Sequence, residues 1–306
     1  MSSTPAQNGM SATLAGAGFM VVSTLGFSIM HAMIQYLGKT GLHGFEIAFF
    51  RNLFGFIALT PVLMRHGFAP LKTGRLRLHG IRAITNSAAM LLFFHGVTTG
   101  LALGMIQALS FTAPLFVSVL AVLFLGERFR AHRTVALVVG FCGALIILRP
   151  GVATIHPGAV YILMSALMWG VSMIIIKRLT ATDSAVTVSL YMVLFMGPIS
   201  GIAAAFVWQW PTAEQWPWLI AIGIVGTLAQ LSFTQAFRLA DATAVLPFDF
   251  GKLIFSSALG YFLFGQLVDG WVWAGGALIF CGGFYIAYRE RKVSGRPVPV
   301  APEREG

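Results

Sequence analysis

Residues 101–150 read LALGMIQALS FTAPLFVSVL AVLFLGERFR AHRTVALVVG FCGALIILRP, and much of this pattern recurs later in the chain. A shift of 139 residues aligns the two copies. The matched positions are Phe111 with Phe250, Ser118 with Ser257, Gly126-Glu127 with Gly265-Gln266, and Cys142-Gly143 with Cys281-Gly282. Several matches in a single register indicate an internal duplication, with a repeat of roughly half the chain.

The composition is that of an integral membrane protein. The chain is 57% apolar and only 10% charged, and its mean hydropathy is +0.83, whereas soluble domains carry about 25% charged residues. The apolar residues form blocks close to the ~20 residues that a helix needs to cross a bilayer. The net charge of +10 arises mainly from Lys and Arg between these blocks, so it reflects membrane topology and not nucleic-acid binding.

The blocks predict ten transmembrane helices. We expect these spans at residues 13–36, 44–63, 79–98, 103–125, 131–148, 157–176, 184–207, 217–237, 242–264 and 270–288. The predicted domains are a first five-helix repeat at residues 1–150, a second at 151–290, and a disordered, Pro-containing tail at 291–306.

The basic residues predict the orientation. If the N-terminus is cytoplasmic, sixteen of the twenty Lys and Arg residues fall on the cytoplasmic side, and only Lys39 and Arg149 fall in outer loops. This asymmetry predicts cytoplasmic termini and a location in the inner (plasma) membrane. Because each repeat has an odd number of spans, the second repeat is inverted relative to the first. The match of Gly26-Phe27-Ser28 with Gly170-Val171-Ser172 supports this pairing. The fold class expected is therefore all-α, with two inverted repeats and a substrate site near the membrane midplane.

Three segments together resemble the EamA-type domain of the drug/metabolite transporter superfamily: Ala113-Pro114-Leu115-Phe116, Phe124-Leu125-Gly126-Glu127-Arg128, and the Gly-rich span that ends at Leu148-Arg149-Pro150. Phe262-Leu263-Phe264-Gly265-Gln266 and the last span resemble it again, so the likeness covers nearly the whole chain. The resemblance implies a secondary transporter in which spans 5 and 10 form a scaffold and spans 1, 3, 4, 6, 8 and 9 enclose a central cavity. The chain departs from the family pattern at Lys252-Leu253, where Glu-Pro is frequent, and at Gln266, where Glu is frequent.

Lys252 and Asp249 are the first candidates for the substrate site. Lys252 lies about ten residues into span 9, near the middle of the membrane, where an uncompensated charge is costly. Asp249 is three residues earlier, so the two side chains share a helix face and can form an ion pair. Pro247 precedes them and leaves a backbone carbonyl without its helical partner, as in broken helices at binding sites. The same pair could instead serve only to lock span 9 to its neighbours.

Other polar and aromatic residues within the spans are further candidates. Glu46 and Arg51 in span 2 are interpreted as a structural ion pair, and the duplication places Tyr191 opposite Arg51. The candidates for the cavity wall are Gln107, Ser110 and Pro114 on one face of span 4, together with His31, His95, Phe111, Trp169, Tyr191, Gln230 and Phe233.

The two cysteines, Cys142 and Cys281, are expected to be small buried side chains. No Cys/His spacing typical of a metal site is present, so neither a metal nor a cofactor is expected. The partners expected are a small-molecule substrate and the lipid bilayer, without nucleic acid, for a monomer or a homodimer.

The sequence favours a secondary transporter over other membrane classes. It contains no Gly-x-x-x-x-Gly-Lys-Ser/Thr motif and no soluble domain long enough to hydrolyse ATP. An integral-membrane enzyme acting on a lipid-like substrate is the alternative, but it would need clustered carboxylates or histidines, and the chain has only ten acidic residues. A channel is the third class, and no ring-forming pore motif is present.

A site of aromatic and Met side chains with one Lys and one Asp suits a small zwitterion with an apolar side chain. The resemblance adds that several bacterial members of the family export amino acids. We therefore expect export of bulky apolar or aromatic amino acids across the bacterial inner membrane by alternating access. A nucleoside, a vitamin or a drug-like cation is the alternative substrate within the same superfamily.

The predicted topology can be tested with reporter fusions. Fusions after Lys72, Arg130 and Arg291 should all report a cytoplasmic location, because these positions follow spans that end on the basic side. A periplasmic signal at any one of them would contradict the inverted five-plus-five arrangement.

Overall fold

A computed structural model describes residues 5–66, 73–125, 131–152, 154–179, 183, 185–240 and 242–294. Within these ranges the chain forms α-helices and no strand. The helices are α1 (Pro5–Lys39), α2 (Gly44–His66), α3 (Leu76–Thr98), α4 (Leu103–Ser110), α5 (Ala113–Leu125), α6 (Ala131–Leu148), α7 (Pro157–Leu179), α8 (Ala185–Ala205), α9 (Trp216–Leu239), α10 (Ala242–Asp249), α11 (Gly251–Phe264) and α12 (Gly270–Ser294).

The predicted ten-span, all-helical fold is confirmed, with two of the spans broken. Span 4 consists of α4 and α5, which are separated at Phe111 and Thr112, and span 9 consists of α10 and α11, which are separated at Phe250. Phe111 and Phe250 are equivalent positions of the duplication, so both repeats break at the same place. The last helix continues to Ser294, into the predicted tail; the rest of that tail, residues 295–306, lies outside the described residues.

Several helices are suited to a membrane by length and composition. Within the described part of the chain, four qualify as full spans: Thr13–Lys39, Leu103–Leu125 (α4 and α5 together), Pro157–Leu179 and Trp216–Leu239. Shorter apolar helices lie at Thr134–Leu148, Leu194–Ala205 and Gly270–Ile286.

The helix contacts follow the inverted symmetry. Helix α1 packs on α9 and α3 packs on α7, so span 1 meets span 8 and span 6 meets span 3. Spans 2 and 7 meet through α2 and α8, and spans 5 and 10 meet through α6 and α12. Because the spans alternate in direction, α1 begins and α12 ends at one face of the bundle, which we call the terminal face. The other face is called the distal face.

Helices α6 and α12 pack through glycines. A Cβ built on Gly143 would lie 2.6 Å from the carbonyl oxygen of Gly275, and one built on Gly282 would lie 2.7 Å from that of Ala136. In the 139-residue register Gly143 corresponds to Gly282 and Ala136 corresponds to Gly275, so the duplication relates the two contacts to each other. The pseudo-two-fold axis of the repeats therefore passes between α6 and α12. Only glycine allows two backbones to approach this closely.

The prediction that both cysteines are buried is wrong. Cys142 and Cys281 are both exposed. Each directly precedes a glycine of the α6–α12 contact, Gly143 or Gly282, and successive residues point about 100° apart around a helix. The cysteines therefore point away from the contact, where lipid is as apolar as a protein core.

Replacing Gly275 with alanine should destabilise the protein, because the added methyl group would meet the Gly143 carbonyl and a side-chain carbon of Ile147. Overpacking of this kind typically costs about 1–3 kcal/mol. Gly197→Ala is a matched control, since a Cβ on this helical glycine meets nothing within 4 Å. The thermal midpoint of the detergent-purified protein should fall for Gly275→Ala and stay equal or rise for Gly197→Ala. Equal midpoints for the two variants would show that the α6–α12 contact is not tight.

Candidate functional site

An ion pair lies at the break of span 9. The Nζ atom of Lys252 is 2.6 Å from Oδ1 of Asp249, an ionic contact without the directed geometry of a hydrogen bond. Asp249 is the last residue of α10, and Lys252 lies in the first turn of α11. Both side chains are 17% exposed. The pair is therefore held within one short segment of backbone and is not fully sealed from its surroundings.

Two aromatic rings flank the ammonium group of Lys252. Its Nζ atom lies 5.3 Å from the ring centroid of Phe27 in α1 and 5.3 Å from that of Phe233 in α9. The negative face of a phenyl ring attracts a cation at this distance. The pair and the two rings are called the cation box below, and the box brings α1, α9, α10 and α11 together.

A buried polar contact lies next to the cation box. His31 of α1 and Gln107 of α4 are hydrogen-bonded through Nδ1 and Nε2 at 2.7 Å, and both side chains are buried. The His31 ring also lies 4.9 Å from the ring of Phe93 in α3 and 6.3 Å from that of Phe27. His31 thus connects the first-repeat helices α3 and α4 to the cation box.

Two serines fix the backbone beside Lys252. The Ser256 hydroxyl donates to the Ser28 hydroxyl at 3.0 Å, and Ser28 also lies within 3.4 Å of the Lys252 carbonyl oxygen. These contacts join α1 to α11 at the start of the second half of span 9.

The two helix breaks meet face to face. The rings of Phe111 and Phe250 are stacked with centroids 5.8 Å apart. Phe280 of α12 contacts both, at 5.6 Å and 4.9 Å. Phe250 directly follows Asp249, so this aromatic triad is continuous with the cation box.

The predicted ion pair between Glu46 and Arg51 does not form. The Glu46 carboxylate accepts hydrogen bonds from the backbone N–H groups of His43 at 3.2 Å and Gln209 at 2.6 Å. Arg51 donates to the Asn52 side chain at 3.1 Å. A spacing of five residues places two side chains about 140° apart around a helix, whereas ion pairs need a spacing of three or four.

Several predicted wall residues lie outside the cation box. The Ser110 hydroxyl bonds back to Ile106 of its own helix, and Pro114 packs beside Gly283 of α12. Trp169, Gln230 and Pro247 are exposed. The break of span 9 comes at Phe250, three residues after Pro247, which is itself part of α10.

Tyr191 belongs to a contact at the terminal face. Its ring lies 4.6 Å from the ring of His79 in α3. His79 is 2.7 Å from the carboxylate of Asp183, which also accepts a hydrogen bond of 2.6 Å from Thr73. This terminal-face tie joins the loop between α7 and α8 to the start of α3.

The distal face has the equivalent tie. The Gln215 side chain, just before α9, donates to the Thr40 hydroxyl at 3.0 Å, and Glu46 binds the Gln209 backbone as described above. This distal-face tie joins the loop between α1 and α2 to the loop before α9. In the duplication, the connection between α1 and α2 corresponds to that between α7 and α8, and the connection before α9 corresponds to that before α3. Equivalent segments therefore contact each other at both faces of the bundle.

His95 lies at the distal face and not in the cation box. Its ring stacks on that of His43 at 4.7 Å and contacts Tyr161 at 4.7 Å. His43 lies in the loop between α1 and α2, where burial lowers the pKa of its imidazole below the ordinary value. A neutral His43 agrees with its Nδ1 atom accepting a hydrogen bond from the Phe45 N–H at 3.2 Å.

Gln266 has a structural role that the sequence did not predict. Its Oε1 atom accepts a hydrogen bond of 3.0 Å from the Leu103 N–H at the start of α4, and its Nε2 atom donates to Gln35 at 3.0 Å. Gln35 is fully buried and donates to the Leu101 carbonyl at 2.6 Å. These partners are brought together only by tertiary packing, so no local pattern could reveal them.

Two surface depressions lie away from the cation box. One of about 360 Å³ is lined by α11 and the loop before α12, including Tyr261, Gln266 and Trp273. Another of about 220 Å³ is lined by distal-face residues, including Tyr36 and Gln215. Neither has charged groups paired inside the helix bundle, so the cation box remains the better candidate site.

The sequence is similar to that of known membrane transporters. The EamA-like transporter family matches residues 14–149 and again residues 156–288. The chain belongs to the EamA-like transporter family. It is a multi-pass membrane transporter and not an enzyme, as the sequence predicted.

Named relatives cover almost the whole chain. A Rickettsia bellii S-adenosylmethionine uptake transporter is 32% identical over 92% of this chain and 97% of its own length. A Rhizobium johnstonii riboflavin transporter is 32% identical, with coverage of 94% and 95%. A Pseudomonas aeruginosa pseudopaline exporter is 28% identical, with coverage of 86% and 93%. A solved crystal structure with 18% identity superposes with a TM-score of 0.56 over 94% of this chain and 99% of that one, which shows a shared fold.

Removing one partner of the ion pair should be more harmful than removing both. Asp249→Ala leaves the Lys252 charge uncompensated, and breaking a buried pair in this way typically costs about 3–5 kcal/mol. We expect a low yield of folded protein for Asp249→Ala and a near-normal yield for the double variant Asp249→Asn with Lys252→Met. The folded double variant should not transport. Yields are measured by detergent extraction and size exclusion.

A surface ion pair provides the control for this experiment. Arg149 and Asp269 are 2.7 Å apart, with side chains 33% and 44% exposed, and such pairs contribute about 0–1 kcal/mol. Asp269→Asn should therefore leave the yield unchanged. Wild-type transport by the double variant would mean that the pair of Lys252 and Asp249 serves packing alone.

Proposed function

We propose that this protein takes up S-adenosylmethionine by alternating access between its two inverted repeats. The observation that carries the proposal is the cation box, in which Asp249 and the rings of Phe27 and Phe233 surround a positively charged group. Relatives named as S-adenosylmethionine uptake transporters, at 32% identity, support the choice of substrate and the direction.

The chemistry of S-adenosylmethionine suits such a site. The molecule carries a sulfonium and an ammonium cation, a carboxylate and a flat adenine ring. A cation is attracted both by a carboxylate and by phenyl faces. In the empty site the ammonium of Lys252 occupies this position, so Asp249 is not left as an uncompensated buried charge. A cationic group of the substrate can replace Lys252 at Asp249, so the Asp249 carboxylate is compensated in both the empty and the loaded state.

The proposed substrate differs from the predicted one in size and in direction. The named relatives carry S-adenosylmethionine, riboflavin or pseudopaline, and they do not support export of free amino acids. S-adenosylmethionine nevertheless keeps the amino-acid zwitterion of methionine. The charges of the site favour this part of the molecule, and the surrounding rings favour the adenine.

Riboflavin is the second candidate. Its flat isoalloxazine ring suits the aromatic triad of Phe111, Phe250 and Phe280, and a riboflavin transporter is also 32% identical to this chain. The absence of a positive charge in riboflavin leaves the carboxylate of Asp249 without a role, so S-adenosylmethionine is preferred.

The distribution of Lys and Arg supports placing the terminal face in the cytoplasm, in the inner membrane. In this orientation the terminal-face tie closes the site towards the cytoplasm and the distal-face tie closes it towards the outside. Uptake then requires the two ties to open in turn.

Uptake into proteoliposomes tests the proposal. Radiolabelled S-adenosylmethionine should accumulate faster in proteoliposomes with the wild-type protein than in empty liposomes or in those with the Asp249→Asn, Lys252→Met double variant. Riboflavin, leucine and phenylalanine are assayed in parallel. Uptake of riboflavin alone would support the second candidate, and uptake of an amino acid alone would restore the substrate predicted from composition.

A further inference from the structure

Arg51 is a cation inside the bundle, on the far side of α2 from lipid. It lies seven residues after the helix begins at Gly44, which is about 10 Å along the helix axis. The exposed apolar side chains of this part of α2 point to the opposite side of the helix; they are Leu53, Phe56 and Ile57. A Cβ built on Gly226 of α9 would lie 3.5 Å from the Nε atom of Arg51. The guanidinium therefore packs against α9.

The guanidinium has hydrogen-bond donors to spare. Among the described residues, its one hydrogen bond goes to the side-chain oxygen of Asn52 at 3.1 Å, although a guanidinium has five N–H donors. Across the described part of the chain, no carboxylate forms an ion pair with Arg51. The other end of the Asn52 amide donates to the Ser200 hydroxyl of α8 at 3.1 Å. Arg51 is thus oriented by neutral partners, and its charge is left uncompensated.

The position of Arg51 relates it to the cation box. Gly226 and Phe233 are seven residues apart on α9, so they lie on the same side of that helix, about 10 Å apart along its axis. The Phe233 side chain leans towards the N-terminus of α9, which shortens the gap. A Cβ built on Gly226 would also lie 2.6 Å from Sδ of Met30 in α1, the helix that contributes Phe27 to the cation box. Arg51 and the cation box therefore border one region between α1, α2 and α9.

We propose that Arg51 binds the carboxylate of the transported substrate, while the cation box binds its positively charged part. This inference rests on the proposed function and adds an anion site to it. Arg presents paired N–H donors that match the two oxygens of a carboxylate, and only one of the donors of Arg51 is used within the described part of the protein. The carboxylate of the substrate would then meet a cation, and its positively charged part would meet Asp249 and the two phenyl rings. Riboflavin has no carboxylate, so Arg51 separates the two candidate substrates.

The first test compares S-adenosylmethionine with its methyl ester, which lacks the carboxylate charge. Binding is measured with purified full-length protein by competition against labelled S-adenosylmethionine. Wild-type protein should bind the acid about 10- to 100-fold more tightly than the ester, as expected for loss of charged hydrogen bonds. In Arg51→Gln the affinity for the acid should fall by a similar factor, and the affinity for the ester should fall by less than about twofold. Arg51→Lys should be intermediate, because it keeps the charge and loses the paired donors.

Arg149→Gln is the matched control, since it removes a surface cation near the distal face, away from α2. It should leave both affinities unchanged. If Arg51→Gln does not fold, as judged by size exclusion, Arg51→Lys provides the comparison. An Arg51 variant that weakens acid and ester equally, or neither, overturns the proposal.

A second measurement does not depend on the proposed substrate. Benzoate should raise the thermal midpoint of the wild-type protein more than benzamide does at the same ionic strength, and this difference should vanish in Arg51→Gln. If the benzoate effect is present while S-adenosylmethionine does not bind, the substrate is wrong and the carboxylate site stands. If wild-type protein distinguishes neither benzoate from benzamide nor acid from ester, the carboxylate site is wrong.

Discussion

A positive charge inside a membrane bundle must be compensated, and this requirement dominates the centre of the structure. Lys252 meets it within its own span, through Asp249 on the other side of a helix break and through two phenyl faces. Because Phe27 comes from the first repeat and the other groups come from the second, the full set of contacts forms only when both repeats are packed together. The site and the fold therefore depend on the same contacts.

Arg51 meets the same requirement only in part. The amide of Asn52 orients it, but no described carboxylate balances it. Lys252 and Arg51 thus differ in what they can offer to a ligand. Lys252 has to be displaced before the carboxylate of Asp249 can bind a ligand, whereas Arg51 can bind an anion directly. A ligand with both charges could pair with Asp249 and with Arg51 at once, which no singly charged molecule achieves.

Much of the fold and part of the site follow from sequence. Block lengths predict the ten spans, the 139-residue register predicts the duplication, and the i,i+3 spacing predicts the contact of Asp249 with Lys252. The pairing of Glu46 with Arg51 fails because a five-residue spacing turns the side chains apart. The partners of Gln266, and Gln209 as a partner of Glu46, lie more than 160 positions away along the chain. Such contacts depend on how the repeats dock, and no local pattern encodes them.

The equivalent breaks at Phe111 and Phe250 provide each repeat with a point at which its helices can change their relative orientation. Each repeat contains a hinge at the same position, and the two hinges touch across the pseudo-two-fold axis. If each repeat adopts the conformation of the other, equivalent contacts form at the opposite face of the bundle. The face that was closed then becomes the open one. A single folding pattern, used twice, thus encodes both of the shapes that a carrier needs.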